Sequence, residues 1–580
     1  MSPQRGILLV IIYNANNTLI MRHLYILAMV VAVSLFAAPR LSAQDFGGTT
    51  FNNDIITWSD LQNLSFTSHN YGTARSMGMG NAFTALGADL TSASLNPAGI
   101  GMYVESDFSF SPMMQFSKSE TANSGDFYVG VPKRQQEFKD HAERFGMSSI
   151  GGVFSVYRGT GALTNLNMGV VYNRIADFNY NTMSASIANP AVNSMANFLC
   201  TLSNVDGLQT NSDGTMSFGN DPYFWGATLA YKNGLTNKDD QGWYIDRIAE
   251  YAEIDQYSAT EVRGSLGEYD FTLGMNFADI VYVGATLGIQ SLNYKRSVFY
   301  GENYIYPDGY PSGEEMPYQL EYMNYEQRTR LSGTGINFKI GVTLRPVKWW
   351  RVGIAYHTPT FMNTSMQYSA DMWSATYSAG TNPDGYELNN GYAYFNVGTP
   401  TWQDAGENSW NYTSPSRLLL GTAFTLGRRV ILSADYERSW YQGVKLKDSP
   451  IYGLDYTDIT KMVFQGSNTV RVGAEAYLLP FLAVRAGYIY SGNTLRKGYE
   501  SIIAGHTIPT RQEYVTAGLG IKFSRTVYLD LAYQYGTTKY TAHQTFYYTD
   551  PESADFDFGS PVFEDKVARH IAVVTLGFRF

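Results

Sequence analysis

In "HIAVVTLGFRF", Ala572, Val574, Leu576, Phe578 and Phe580 fall on one face and Ile571, Val573, Thr575, Gly577 and Arg579 on the other. A period of two over that length is a strand signal, because successive side chains of an extended chain point to opposite sides. The same pattern recurs upstream. In "TVRVGAEAYL", Val470, Val472, Ala474, Ala476 and Leu478 oppose Arg471, Gly473, Glu475 and Tyr477; in "VYLDLAYQY", Leu529, Leu531, Tyr533 and Tyr535 oppose Asp530, Ala532 and Gln534. "VILSADYE" sets Val430, Leu432, Ala434 and Tyr436 against Ser433, Asp435 and Glu437. A soluble sandwich would bury the apolar face. A membrane barrel turns it to lipid and the polar face to the lumen.

Number and spacing of segments separate the two. Strands are expected near 104–116, 149–157, 165–174, 262–277, 281–293, 328–345, 349–367, 408–426, 428–446, 466–478, 481–491, 511–523, 526–546 and 565–580. The total is about fourteen, even as single-chain outer-membrane barrels require. Short connections (158–164, 278–280, 346–348, Gly427, Leu479-Pro480, Ser524-Arg525) alternate with long ones (117–148, 175–261, 294–327, 368–407, 547–564). Tight turns at one rim and long loops at the other are the membrane-barrel asymmetry, for which a Greek-key sandwich has no reason. The pattern therefore predicts an all-β, antiparallel transmembrane barrel. Trp349, Trp350, Trp402, Trp410, Trp440 and Tyr441 lie near expected strand ends, where they would form interfacial girdles.

Composition agrees. Aromatics make up 15 % of the 580 residues, with 45 Tyr and 32 Phe, and 55 Gly are available for turns. Charged residues are only 16 %, against about 25 % in soluble domains. A net charge of −10 argues against a nucleic-acid partner. The single cysteine, Cys200, excludes an intramolecular disulfide and reads as a small buried hydrophobe.

Residues 1–43 read as an export leader: Met21-Arg22-His23 is a basic start, "LYILAMVVAVSLFAA" an apolar core, and Leu41-Ser42-Ala43 a cleavage region. Met21 is an alternative start to Met1. After Ala43 no uninterrupted apolar run reaches the roughly 20 residues of a transmembrane helix.

A barrel of this size is either a wet pore or plugged, since its wall side chains do not fill it. Residues 44–103 precede the first strand, lack alternation, and are rich in Gly72, Gly78, Gly80 and Gly87, which permit close backbone packing. They are expected to form a luminal hatch, with residues 104–580 as the barrel. Phe83, Leu86 and Leu90 recur at helical spacing and predict a short amphipathic helix. Pro97 lacks a backbone donor and disfavours helix at Asn96, so that helix must stop there.

"GMGNAFTALGADLTSASLNPAGIG" resembles the N-terminal hatch of the FadL family of outer-membrane long-chain fatty acid transporters, which includes importers of aromatic hydrocarbons. Asn96, Pro97 and Ala98 match its Asn-Pro-Ala triplet. "GTGINFKIGVTLRPVKWWRVGIAYHTPT" resembles its central strand pair, and "VRVGAEAYLLPFLAVRAGYIYSG" and "VTAGLGIKFSRTVYLDLAYQYG" its C-terminal strands. The resemblance implies a plugged fourteen-strand barrel in a Gram-negative outer membrane that admits fatty-acid-like or other hydrophobic molecules and releases them, by one route sideways into the bilayer. Lipid, lipopolysaccharide and the β-barrel assembly machinery are then its implied partners, with Phe578 and Phe580 in the assembly signal and Asn96, Pro97 and Ala98 at the hatch or gate. A plain helix stop is the simpler reading of the triplet. The loop 175–261 departs from better-known members, so no ligand residues carry over. In it Met195, Phe198, Leu199 and Leu202 form one apolar stripe and Tyr244, Ile248, Tyr251 and Ala252 another, which either capture ligand or pack on each other.

Chemistry-bearing motifs are missing. No HExxH, GxSxG or phosphate-loop pattern occurs. "GMGNAF" lacks the third glycine of a dinucleotide fingerprint. No enzyme activity, metal or cofactor is expected. Arg471, Glu475, Arg485, Asp435, Glu437 and Asp530 read as a paired luminal network. Beside hydrophobic-solute transport stand a haem receptor, with His69 and His357 as candidate iron ligands, and a non-transporting scaffold or secretion accessory.

Overall fold

Strand pairing closes into a ring. The computed structural model describes residues 70–123, 137–205, 225–249, 251–308, 320–376, 409–427, 429–447, 456–497, 509–548 and 558–580, with short pieces at 380–381, 387–388, 393–395 and 503–504. The expected leader, His69, Trp402 and the first part of the expected hatch lie outside the described residues.

The wall strands are β1 (Asp107–Asn123), β2 (Glu137–Arg158), β3 (Leu163–Asp177, resuming as Tyr180–Pro190), β4 (Glu253–Phe277), β5 (Val281–Ile305), β6 (Leu320–Val347) and β7 (Trp350–His357, resuming as Phe361–Thr376). Next come β8 (Ser409–Thr413, resuming as Arg417–Leu426), β9 (Val430–Trp440), β10 (Gly466–Leu479), β11 (Leu482–Ser491), β12 (Pro509–Lys522), β13 (Val527–Gln544) and β14 (Phe563–Arg579). Each pairs antiparallel with the next, and β14 pairs back onto β1 through Phe578↔Phe108 and Ala572↔Met114, giving a closed 14-strand barrel without a free terminal edge. Short turns and long connections alternate around it as expected, with the long ones all at one rim, called here the loop rim.

The faces are inverted relative to a soluble protein. On β1, Phe108, Met114 and Phe116 are exposed while Ser109, Ser111, Gln115 and Ser117 are buried. On β14, Val574, Phe578 and Phe580 face out while Val573 and Thr575 face in. Apolar side chains out and small polar ones in is the arrangement of a wall against lipid. Two boundary expectations change. β1 begins at Asp107 rather than 104, and β2, β4 and β5 extend beyond their expected loop-rim ends. There the outward face turns polar, as at Glu261, Arg263 and Lys295, so the apolar signal fades while the strand continues. Trp349 is exposed at the turn rim, but Tyr441 is buried and does not join a girdle.

Three strands are interrupted. Pro359 and Pro415, which cannot donate to a ladder, break β7 and β8 side by side, and Ser414 repairs the gap by donating its amide to Thr360 O (3.0 Å) and accepting from Thr360 N (2.8 Å). β3 breaks at Phe178-Asn179, opposite Gly264 of β4, whose φ of 134° is a glycine conformation.

Candidate functional site

Residues 70–103 are buried almost throughout and bond to inward-facing side chains on many strands. Helix α1 (Ala74–Gly78) starts at Thr73, whose hydroxyl accepts from Ser76 N (3.2 Å). The helix expected from Phe83, Leu86 and Leu90 does not form. Gly80, Asn81, Gly87 and Ala88 all take positive φ, so the chain turns repeatedly. The three side chains are buried by tertiary packing, Phe83 and Leu86 in one cluster with Met79 and Leu95 and Leu90 in another. A single turn of helix, α2 (Ser92–Leu95), ends at Asn96, whose φ of −141° is extended, as the residue before proline should be. Pro97–Met102 then form a 3₁₀ turn.

The Asn96 side chain is a three-way clip. Its Oδ1 accepts from Ala98 N (3.1 Å), capping the 3₁₀ turn, and its Nδ2 donates to Thr84 O (2.5 Å) and to Thr343 Oγ1 on β6 (3.1 Å). The wall is shaped to receive it. A Cβ on Gly341 would overlap the Asn96 carbonyl oxygen, and one on Gly284 would overlap the Pro97 carbonyl and the Ala98 amide. Further ties run from Thr84 N to Asp435 Oδ2 (2.8 Å), Ser94 Oγ to Asp270 Oδ2 (2.6 Å) and Arg75 to Glu475 (3.2 Å). Asn167 Nδ2 on β3 donates to Ile100 O (2.8 Å).

Five of the six expected luminal residues pair, Arg485 with Glu475 and Asp530 (both 2.6 Å) and Arg471 with Glu437 (2.7 Å), whereas Asp435 is in no described ion pair and serves the inner segment at Thr84 N instead. Sequence reading missed its counterpart across the lumen, where Lys339 pairs with Glu268 and with Asp270 (2.8 Å). Alternation says that these residues face inward but not which strands meet. His357 is buried, and its Nε2 lies 2.8 Å from Leu95 O, so that ring nitrogen is committed to the inner segment. Among the described residues no cluster of three or more His, Cys, Asp or Glu is placed to hold a metal.

Beside the interruption in β3 the wall ladder opens. β2 pairs with β3 only from Ser149↔Asn173 to Arg158↔Asn165, whereas its loop-rim half, 137–148, pairs with β1 alone. Side chains bridge the opening: Arg174 donates to Met147 O (3.0 Å) and Asp177 (2.9 Å), Arg144 reaches Gly264 O (3.0 Å), and Asn181 Nδ2 donates to His141 O (3.0 Å). Behind it lies a pocket lined by Phe178, Tyr180, Tyr294, Tyr514, Tyr540 and Arg569, with Tyr71 of the inner segment and with Asp177, whose carboxylate is taken up by Arg144 and Arg174. Arg569 is only 7 % exposed. It bonds to Thr538 (3.0 Å) and lies over the Tyr180 ring (5.9 Å), its Nε has no partner, and no described carboxylate pairs with it.

At the loop rim, helix α3 (Met195–Val205) buries Met195, Phe198, Leu199 and Leu202, and helix α4 (Trp225–Lys232) packs beside it. The first expected stripe is thus a packing face, with Phe198 and Tyr300 both against Phe546 (5.2 and 5.7 Å). The second is not helical, since Tyr244 begins a short strand, Tyr244–Asp246. Cys200 is buried within the cluster.

No protein-family model and no curated protein matches the chain. Solved structures with a similar trace include the monoaromatic hydrocarbon channel CymD (13 % identity, 89 % of this chain and 99 % of that one, TM-score 0.44). The P. putida toluene transporter TodX (12 %, 88 % and 99 %, 0.45) and a Pseudomonas aeruginosa FadL homologue (13 %, 89 % and 98 %, 0.45) are others.

Proposed function

We propose that the protein takes hydrophobic small molecules across the outer membrane of a Gram-negative bacterium, and that amphipathic acids of the long-chain fatty acid type are its substrate class. The observation that carries this reading is the aromatic pocket with Arg569. A buried cation that no described carboxylate pairs is costly unless it meets an anion, and the surrounding phenol rings and aliphatic side chains suit an apolar tail. Residues 70–103 act as a plug that blocks a straight aqueous path, held by the Asn96-Pro97-Ala98 clip. The solute enters from the loop rim through the apolar cluster beneath α3, and the opening between β2 and β3 gives it a way into the bilayer that avoids water.

Membership of the FadL and TodX family of transporters fits this reading, and Phe578 and Phe580 keep their proposed place in the assembly signal. Neutral aromatic hydrocarbons, named for the similar solved channels, would leave Arg569 unexplained. The haem alternative is disfavoured by the bond between His357 and Leu95 O.

The test compares binding of oleate and of a neutral hydrocarbon to purified wild type and Arg569→Gln. Losing one charge-assisted contact should weaken oleate binding on the order of tenfold and leave the hydrocarbon unaffected. Equal oleate binding by the two proteins would remove the acid specificity.

A further inference from the structure

The outer face of β4, β5 and β6 carries an ordered sequence of rows toward the loop rim. The last apolar row is Tyr269, Ile289 and Ile336, which sit opposite one another in the ladder. The next two rows hold small uncharged polar residues: Ser291 with Thr334, then Ser265, Asn293 and Ser332. Above them Arg263, Lys295 and Arg330 stand directly abreast, and Gln367 of β7 continues the row. Lys295 and Arg330 are exposed.

Like charges directly opposite on neighbouring strands destabilise a sheet, and acids relieve this row at one end only. Arg263 is paired with Glu261 (2.9 Å) and bonded to Asn181. In the row above, Arg328 takes up Glu326 and Asp371 (2.8 Å to Asp371). No described carboxylate pairs with Lys295 or Arg330. The opposite side of the barrel carries a cation row of its own, with Arg511, Lys539 and Lys566 abreast; there Arg511 is paired with Glu513 on its own strand and Lys566 lies 3.7 Å from Glu120 of β1, so that Lys539 alone has no described carboxylate. Of the two rows, the one on β5 and β6 is the one with two neighbouring cations, Lys295 and Arg330, that no described carboxylate pairs.

We propose that this face binds a phosphate-bearing glycolipid of the outer leaflet, with the phosphate on Lys295 and Arg330. Acyl chains lie on the apolar band below Tyr269 and Ile336, sugar hydroxyls meet the Ser, Thr and Asn rows, and the anion reaches the cations. Six residues of strand separate Tyr269 from Arg263, about 20 Å along the strand and less along the membrane normal because barrel strands tilt, which sets the cations above the acyl band in the headgroup layer. The site depends on the barrel's sitting in a membrane and is independent of what passes through the lumen.

The probe is bisphosphorylated lipid A, titrated onto the purified full-length protein in detergent, with its dephosphorylated form and inorganic phosphate as the other arms. The K295S/R330S double variant should bind the bisphosphorylated lipid on the order of tenfold more weakly than wild type, as expected when two charge-assisted contacts are lost. The K539S/K566S variant on the other side should keep wild-type affinity. The dephosphorylated lipid should not distinguish wild type from K295S/R330S, and millimolar phosphate should not compete. If K295S/R330S does not fold, judged by heat-modifiable gel mobility, the single Lys295→Gln change gives the reading. Equal affinity of wild type and the β5–β6 variant for the phosphorylated lipid overturns the site. Effective competition by inorganic phosphate overturns the lipid as its occupant.

Discussion

Asn96 shows how much a single side chain does when it serves three partners. It caps the 3₁₀ turn, holds the turn at Thr84 and reaches Thr343 on the wall, so Asn96→Ala should cost the inner segment its registration without touching the ladder. Pro97→Ala is expected to change transport more than assembly, because Pro97 shapes the segment and makes no wall pairing. Normal uptake by a Pro97→Ala strain would remove any gating role. Gly341→Leu should force the segment away from β6, since even a Cβ overlaps Asn96 there. The predicted readout is normal barrel yield with raised single-channel leak, and a sealed Gly341→Leu barrel would count against the plug. Cys200 provides an internal reporter. Burial pushes its thiol well above the usual range, which lowers the thiolate fraction and adds to the steric block, so maleimide should label it only after the loop cluster opens. Fast labelling of the folded protein would contradict the packed loop.

At the scale of elements, the wall was legible and the interior was not. Outward residues such as Phe271 and Leu273 announce themselves because lipid demands apolar side chains at every second position. Placing a charge there should cost about 2–4 kcal/mol for Leu273→Arg near the midplane, measured by denaturant unfolding in detergent. The helix expected at Phe83, Leu86 and Leu90 failed because that spacing records burial on several sides of a turning chain, and Gly80 and Gly87 set the backbone instead. Lys339 with Glu268 and Asp270 was invisible in sequence because the cation lies on β6 and the two carboxylates on β4. The ladder opening was hidden too: nothing in "RIADFNYN" marks Phe178-Asn179 as a break until Gly264 is seen opposite it. If this opening is the exit, a short cleavable bis-maleimide across His141→Cys and Asn181→Cys, in a Cys200→Ser background, should reduce oleate uptake to the level of cells lacking the protein. Cleaving the linker should restore it. Unchanged uptake by the cross-linked protein would close the lateral route.

For the whole molecule, strand number and the alternation of short and long connections were readable because closure leaves little freedom: an even antiparallel ring returns its chain to the same rim after every hairpin. The position of charge follows from the same geometry. Paired cations and carboxylates line the lumen, the bilayer band has none among the described residues, and the row at Lys295 and Arg330 lies above it. The ligand is one step further from sequence, since it depends on which inward side chains meet at one height. The most direct measurement is mass spectrometry of the organic extract from protein purified out of native outer membranes, beside a control barrel and the Arg569→Gln variant. Long-chain acids enriched in the wild type and depleted in the variant are predicted. An extract no richer than the control, or haem in place of acids, would contradict uptake of amphipathic acids as the function of this barrel.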